Sequence, residues 1–198
     1  MKPYDLILAA LLLPTSMTLI AGEAHVHGQA RIEIVLEGDI LSIRLESPLD
    51  NLLGFERAPR NERERKAVKR MAAHLNDSAT QFQPSPAAGC MPLDSRLEAP
   101  ALGKDFPTPP ANTTASPGGQ SKANSAEKPA KPQTHAEEEH GELTATWRFR
   151  CAQPLVLRDL KVRLFAAFPG LQRIDAVALT EKGQSAARLS ASQPQLRW

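Results

Sequence analysis

The sequence predicts an α+β domain: an antiparallel β-sheet with one main helix and a long disordered insertion. Three observations predict it. Apolar residues alternate with polar ones at period two on both sides of the chain's middle. One stretch, Val68 to Leu75, carries apolar residues at helical spacing. The segment 100–141 is Pro, Ala, Ser, Thr, Asn, Gly and Lys with hardly any large apolar residue.

The chain opens with Met1-Lys2, an apolar core from Leu6 to Leu13 with Met17 to Ala21 behind it, and small residues at Gly22 and Ala24. A basic start, an apolar run and a small-x-small end make 1–24 a secretory signal peptide. Pro14, Thr15 and Ser16 interrupt the run before it reaches the roughly 18 residues of a membrane span. No stable membrane insertion is therefore expected after cleavage, and the mature chain begins at or near His25, outside the cytoplasm. Removing Lys2, Asp5 and Glu23 with the leader moves the formal charge from +2 to +3. That balance, with no basic run interleaved with aromatics, argues against a nucleic-acid partner.

The elements follow in order. Ile32, Ile34 and Leu36, then Leu41, Ile43 and Leu45, alternate with polar neighbours on either side of Gly38-Asp39, a hairpin signal. Pro48 ends the second strand, and Leu52-Leu53-Gly54-Phe55 is an apolar connector expected to tuck under the sheet. Asn61 is placed as a helix N-cap with Glu64 three residues on. Val68, Met71, Ala72 and Leu75 form the apolar stripe, and His74 at its margin receives no ligand role. Arg63, Arg65, Lys66, Lys69 and Arg70, with Glu62 and Glu64, make a solvated face. After the insertion, Ala145, Trp147, Phe149 and Cys151 predict a third strand. Leu160, Val162 and Leu164 predict a fourth, Ile174 to Thr180 a fifth, and Ala187 and Leu189 a weaker sixth beyond Gly183. Segments 25–99 and 142–198 are each too thin in core to stand alone and should form a single domain.

Ten of the chain's 17 prolines lie between Pro84 and Pro132. A composition that cannot bury enough surface to offset its ordering entropy predicts a disordered insertion over 100–141. The two cysteines, Cys90 and Cys151, read as one disulfide in an oxidising compartment. Neither has a Cys-x-x-Cys partner that would favour a thiolate metal or redox pair. Closing a loop of about 60 residues contributes roughly 4 kcal/mol in the chain-entropy view, and the bridge is expected to pin the base of the insertion.

The chemistry sits in two short windows holding four of the five histidines. In an extended strand residues two apart share a face, so His25 and His27 can reach one metal ion. Zinc wants four ligands, or three from protein with one open position. The candidates to complete the set are His135 and His140, with Glu137, Glu138, Glu139 and Glu142 as secondary ligands. Imidazole with carboxylate suits zinc, with copper(II) as competitor. Glu46, Asp50 and Glu56 flank the tight connector segment and could interact, but as carboxylates near turns they are read as caps or surface groups. No Gly-x-Ser-x-Gly, His-Glu-x-x-His, phosphate-binding loop or dinucleotide fingerprint is present, so no enzyme is predicted.

Three segments carry a resemblance: His25-Val26-His27-Gly28-Gln29-Ala30, Leu45-Glu46-Ser47-Pro48-Leu49-Asp50-Asn51-Leu52-Leu53-Gly54-Phe55-Glu56-Arg57-Ala58-Pro59, and Leu164-Phe165-Ala166-Ala167-Phe168-Pro169-Gly170. Together they resemble the ZrgA-like family of zinc-regulated proteins from Gram-negative bacteria. The resemblance implies a periplasmic zinc-binding accessory to a high-affinity zinc ABC importer, partnered by that importer's binding protein. The chain departs from the family pattern at Arg57, where histidine often follows Phe-Glu, and in a central segment with only His135 and His140. The rival readings are a periplasmic protein-interaction module without a metal role, and a copper-binding protein.

Overall fold

The structure, a computed structural model, describes residues 26–103, 106 and 141–198. The predicted signal peptide, His25, and the insertion from 107 to 140 lie outside the described residues. In chain order the elements are β1 (Gln29–Glu37), β2 (Ile40–Pro48), α1 (Asp50–Leu53), α2 (Glu62–Asn76), α3 (Ser78–Gln81), β3 (Phe82–Pro84), β4 (Cys90–Glu98), β5 (Glu142–Cys151), β6 (Asp159–Val162), α4 (Leu164–Ala167), β7 (Arg173–Thr180), β8 (Gly183–Leu189) and β9 (Gln195–Arg197). They build a six-stranded sheet in the order β4-β5-β2-β1-β7-β8 and a three-stranded sheet in the order β3-β6-β9. The fold is α+β as expected, and among the described residues every strand pairing is antiparallel except that between β1 and β7.

The hairpin forms where the alternation places it. Ile32 faces Leu45, Ile34 faces Ile43 and Leu36 faces Leu41, while Gly38 takes the left-handed φ of 57° that the two-residue turn demands. Trp147 and Ala145 of β5 and Ile174, Ala176 and Ala178 of β7 continue the same buried face. The other face carries Arg31, Glu33, Arg44, Glu46, Asp94, Arg148 and Asp175 in exposed ion pairs, each worth little on its own. Helix α2 covers the apolar face with Val68, Met71, Ala72 and Leu75. Trp147 Nε1 donates to the Leu75 carbonyl at 2.7 Å and its ring packs 4.6 Å from Phe82. That bond supplies the partner a buried indole N–H requires.

Helix α2 starts at the predicted cap: Asn61 accepts from the Glu64 N–H at 2.9 Å. The Glu64 carboxylate reaches one residue further back than a standard capping box, taking the Arg60 N–H at 2.6 Å. His74 is exposed and meets Phe168 edge-on at 6.2 Å.

Several expectations are corrected. Leu164 does not extend the fourth strand. Arg163 leaves the extended conformation and donates its N–H to Gln81, and Leu164 opens the short helix α4, which buries it. The connector after Pro48 forms α1, capped by Gly54 at φ 78°. Strand β4 escaped notice because it is an edge strand with a register shift between Pro92 and Asp94, so its burial does not alternate. The insertion begins later than residue 100: Pro100–Leu102 is a turn of 3₁₀ helix, and Leu102 and Phe106 are buried in the core.

The disulfide is present, but it does not pin the base of the insertion. Cys90 and Cys151 face each other where β4 begins and β5 ends, whereas the insertion joins the opposite ends of those strands, near Glu98 and Glu142. The eight-residue step from Cys90 to Glu98 puts about 26 Å between bridge and insertion. The bridge still closes a span of 61 residues. Replacing both cysteines with Ala should leave the fold intact and lower stability by about 2–4 kcal/mol in urea unfolding. An unchanged midpoint would contradict the structural role.

Candidate metal site

One end of the large sheet gathers the start of β1, the end of β2, the start of β5 and the start of β7. The His-Val-His-Gly segment leads into β1 at this end. Gly28 is buried with φ 81°, a conformation that favours glycine. Its carbonyl accepts the N–H groups of Gln172 and Arg173 at 2.8 and 2.9 Å, and its N–H donates to Asn51 Oδ1 at 2.5 Å. With Gly28 held on both backbone groups, the side chain of His27 is displayed from a fixed point.

His27 is exposed and stands between two carboxylates. Its Nδ1 lies 3.6 Å from Asp50 Oδ2, and its Nε2 lies 3.4 Å from Glu56 Oε1. Asp50 opens α1, and Glu56 follows the Gly54 cap, so one short connector delivers both acids to the same imidazole. The Glu56 side chain is only 16% exposed, against 61% for His27. Two ligands about 2.0–2.1 Å from a tetrahedral zinc are separated by roughly 3.4 Å. The Nε2–Oε1 distance of 3.4 Å therefore matches one edge of a zinc coordination tetrahedron. Asp50 faces the other ring nitrogen from 3.6 Å, just beyond hydrogen-bond reach, on the side where a carboxylate could orient a metal-bound imidazole. Among the described residues no three His, Cys, Asp or Glu side chains converge on one point, because His27 turns its two nitrogens to two different acids.

The insertion returns to the fold at this same place. The Gly141 carbonyl accepts the Leu49 N–H at 2.8 Å, and Gly141 is buried against the backbone of Glu56. A Cβ at residue 141 would lie 2.3 Å from the Glu56 carbonyl oxygen and 2.9 Å from Leu49 Cδ1. Only glycine fits. Of the ligands predicted from sequence, His27 and Glu142 are described. Glu142 opens β5 opposite Pro48 and is half-buried. His25, His135, His140, Glu137, Glu138 and Glu139 lie outside the described residues.

Asp50 and Glu56 were read from sequence as caps or surface groups, and the structure sets both against His27 instead. Their spacing of six residues matches no ligand motif. It works only because α1 turns the chain between them. Arg57 does not join the cluster: its guanidinium grips Glu64 at 2.8 and 3.0 Å and lies 5.2 Å from the Phe55 ring centre. The departure at this position thus serves to staple the connector to helix α2.

In comparisons with known proteins, the model of one family, described as "ZrgA family zinc uptake protein", matches residues 24–198. No curated protein matches the chain.

The staple carries a pH signature. Arg57, the Arg60 N–H and Asn61 lower the Glu64 carboxyl from its ordinary 4.5 to about 2. A carboxyl depressed in the folded state stabilises the fold above its unfolded pKa, and that contribution fades as pH falls from 4.5 towards 2. The urea midpoint should therefore drop between pH 5 and pH 3 (about the width of one carboxyl titration), and less steeply in Glu64→Gln. Equal acid slopes in the two proteins would remove Glu64 from the account.

Proposed function

The chain belongs to the ZrgA family, and on that premise we propose that it is a periplasmic zinc-binding protein, accessory to zinc uptake by an ABC importer. The observation that carries this reading is the 3.4 Å spacing of His27 Nε2 and Glu56 Oε1, which suits a shared zinc ion. His27 and Glu56 are the fixed half of the site, and Asp50 orients the imidazole. His25, two residues before His27, and His140, bonded to the Gly141 that packs on Glu56, are the further ligands. His135, Glu137, Glu138, Glu139 and Glu142 lie close to them in sequence and serve as secondary ligands.

Export supports the same reading. The apolar leader of residues 1–24 fits a signal peptide, and the family match begins at residue 24. Among the described residues no helix is long and apolar enough to cross a membrane. A site assembled partly from an inserted segment can hold zinc and then offer it to a partner, here the importer's binding protein. Two imidazoles on the insertion suit transfer better than storage, which needs many sites.

Calorimetric titration of the mature chain with zinc should show at least one site near neutral pH. His27→Ala and Glu56→Gln should each weaken it tenfold or more, and Asp50→Asn by about tenfold. Absence of zinc binding by the unaltered protein would refute the proposal. Retention of full affinity in both His27→Ala and Glu56→Gln would move the site elsewhere.

A further inference from the structure

We infer that Asn51 is the positioning residue of this site, setting His27 relative to Asp50 and Glu56; the inference rests on the zinc reading above. Asn51 is one of four buried polar residues among the described ones, at 2% exposure, and both polar atoms of its side-chain amide are hydrogen-bonded. Oδ1 accepts from Gly28 N–H at 2.5 Å, and Nδ2 donates to the Gln29 carbonyl at 2.7 Å and to Ser47 Oγ at 3.1 Å. The amide thus bonds one backbone group of Gly28 and one of Gln29, at the turn that leads into β1. The side chain holds the lead-in to β1 beyond the point where β2 has turned away into α1.

The orientation of the amide is fixed by these partners, since the Gly28 N–H can only donate and the Gln29 carbonyl can only accept. Ser47 Oγ completes the arrangement by donating to the Pro48 carbonyl at 3.1 Å while accepting from Asn51. The backbone of Asn51 is held as well. A Cβ on Gly170 would lie 2.6 Å from the Asn51 carbonyl oxygen, so the Pro169-Gly170 turn closes directly onto α1. One residue therefore ties together the turn that leads from His27 into β1, the helix that begins at Asp50 and the Pro169-Gly170 turn. No alternative side chain of this size offers an acceptor and two donors. Asp would meet the Gln29 carbonyl with a second negative oxygen, and Leu would leave the Gly28 N–H and Gln29 carbonyl buried without partners.

A residue that only held the fold would change stability alone; a positioning residue changes the geometry at the metal. Cobalt(II) serves as the probe, because its visible absorption reports coordination geometry as well as binding. The purified chain should be compared with Asn51→Ala, Asn51→Asp, Ser47→Ala and a control, Phe149→Leu. Phe149 pairs with Leu41, six residues and about 20 Å along β2 from Ser47. Asn51→Ala and Asn51→Asp should weaken cobalt binding at least tenfold and alter the band shape. Ser47→Ala, which removes one of the three bonds and spares the rest, should weaken it several-fold. Phe149→Leu should lower the Tm with affinity and spectrum unchanged.

Folded Asn51 variants that bind cobalt with the unaltered spectrum and affinity would overturn the inference, as would an equal loss in Phe149→Leu. If neither Asn51 variant folds, an unchanged affinity in Ser47→Ala overturns it in their place. Failure of the zinc reading gives a different result: neither zinc nor cobalt binds the unaltered chain, or His27→Ala binds as well as it does.

Discussion

The structure depends on β1 being bonded along both edges. It runs antiparallel to β2 and parallel to β7, so it lies in the interior of the six-stranded sheet and has no free edge from which to fray. Ile32 and Ile34 are fully buried beneath it, which locks its register, since a slip of one residue would turn both to solvent. Whatever precedes β1 is consequently attached to one of the most constrained segments of the chain. Three glycines let the surroundings close in: Gly28 takes a left-handed φ, while Gly141 and Gly170 allow other backbones to approach closer than any Cβ would permit. The three segments that carry the family resemblance meet here, in β1's lead-in, in the α1 connector and in the turn before β7. Each supplies a glycine or the asparagine that the junction requires.

Much of this was legible in the sequence. The hairpin of β1 and β2 was marked by period-two alternation around Gly38-Asp39, and strands β5 and β7 by the same pattern. Helix α2 was marked by its Asn61 cap and four-residue apolar stripe. Each signal is local, set by one face meeting the core and the other meeting water. The pairing of Cys90 with Cys151 followed from there being only two cysteines.

What was not legible depended on long-range geometry. Strand β4 is exposed along most of its length and carries Met91 and Leu93 in solvent, so it lacks the alternation by which strands are found. The bridge was placed at the wrong end of β4 because strand direction, which decides which end meets the insertion, leaves no trace in cysteine spacing. Leu102 and Phe106 looked like part of a Pro-rich segment, yet each finds a place in the core. Asp50 and Glu56 carry no local ligand signal for the same kind of reason. Their relation to His27 arises only when β1 and the α1 connector are brought together through Asn51. The histidine motif was visible, but the acids that give it chemical meaning were not.

The central claim is that His27 and Glu56 share a zinc ion, with the remaining ligands nitrogen and oxygen. X-ray absorption at the zinc edge of the metal-loaded protein tests it most directly. The account predicts a shell of nitrogen and oxygen at about 2.0–2.1 Å with imidazole scattering, which loses one imidazole in His27→Ala and one oxygen ligand in Glu56→Ala. A sulfur shell at about 2.3 Å, or an imidazole count unchanged by His27→Ala, would contradict it.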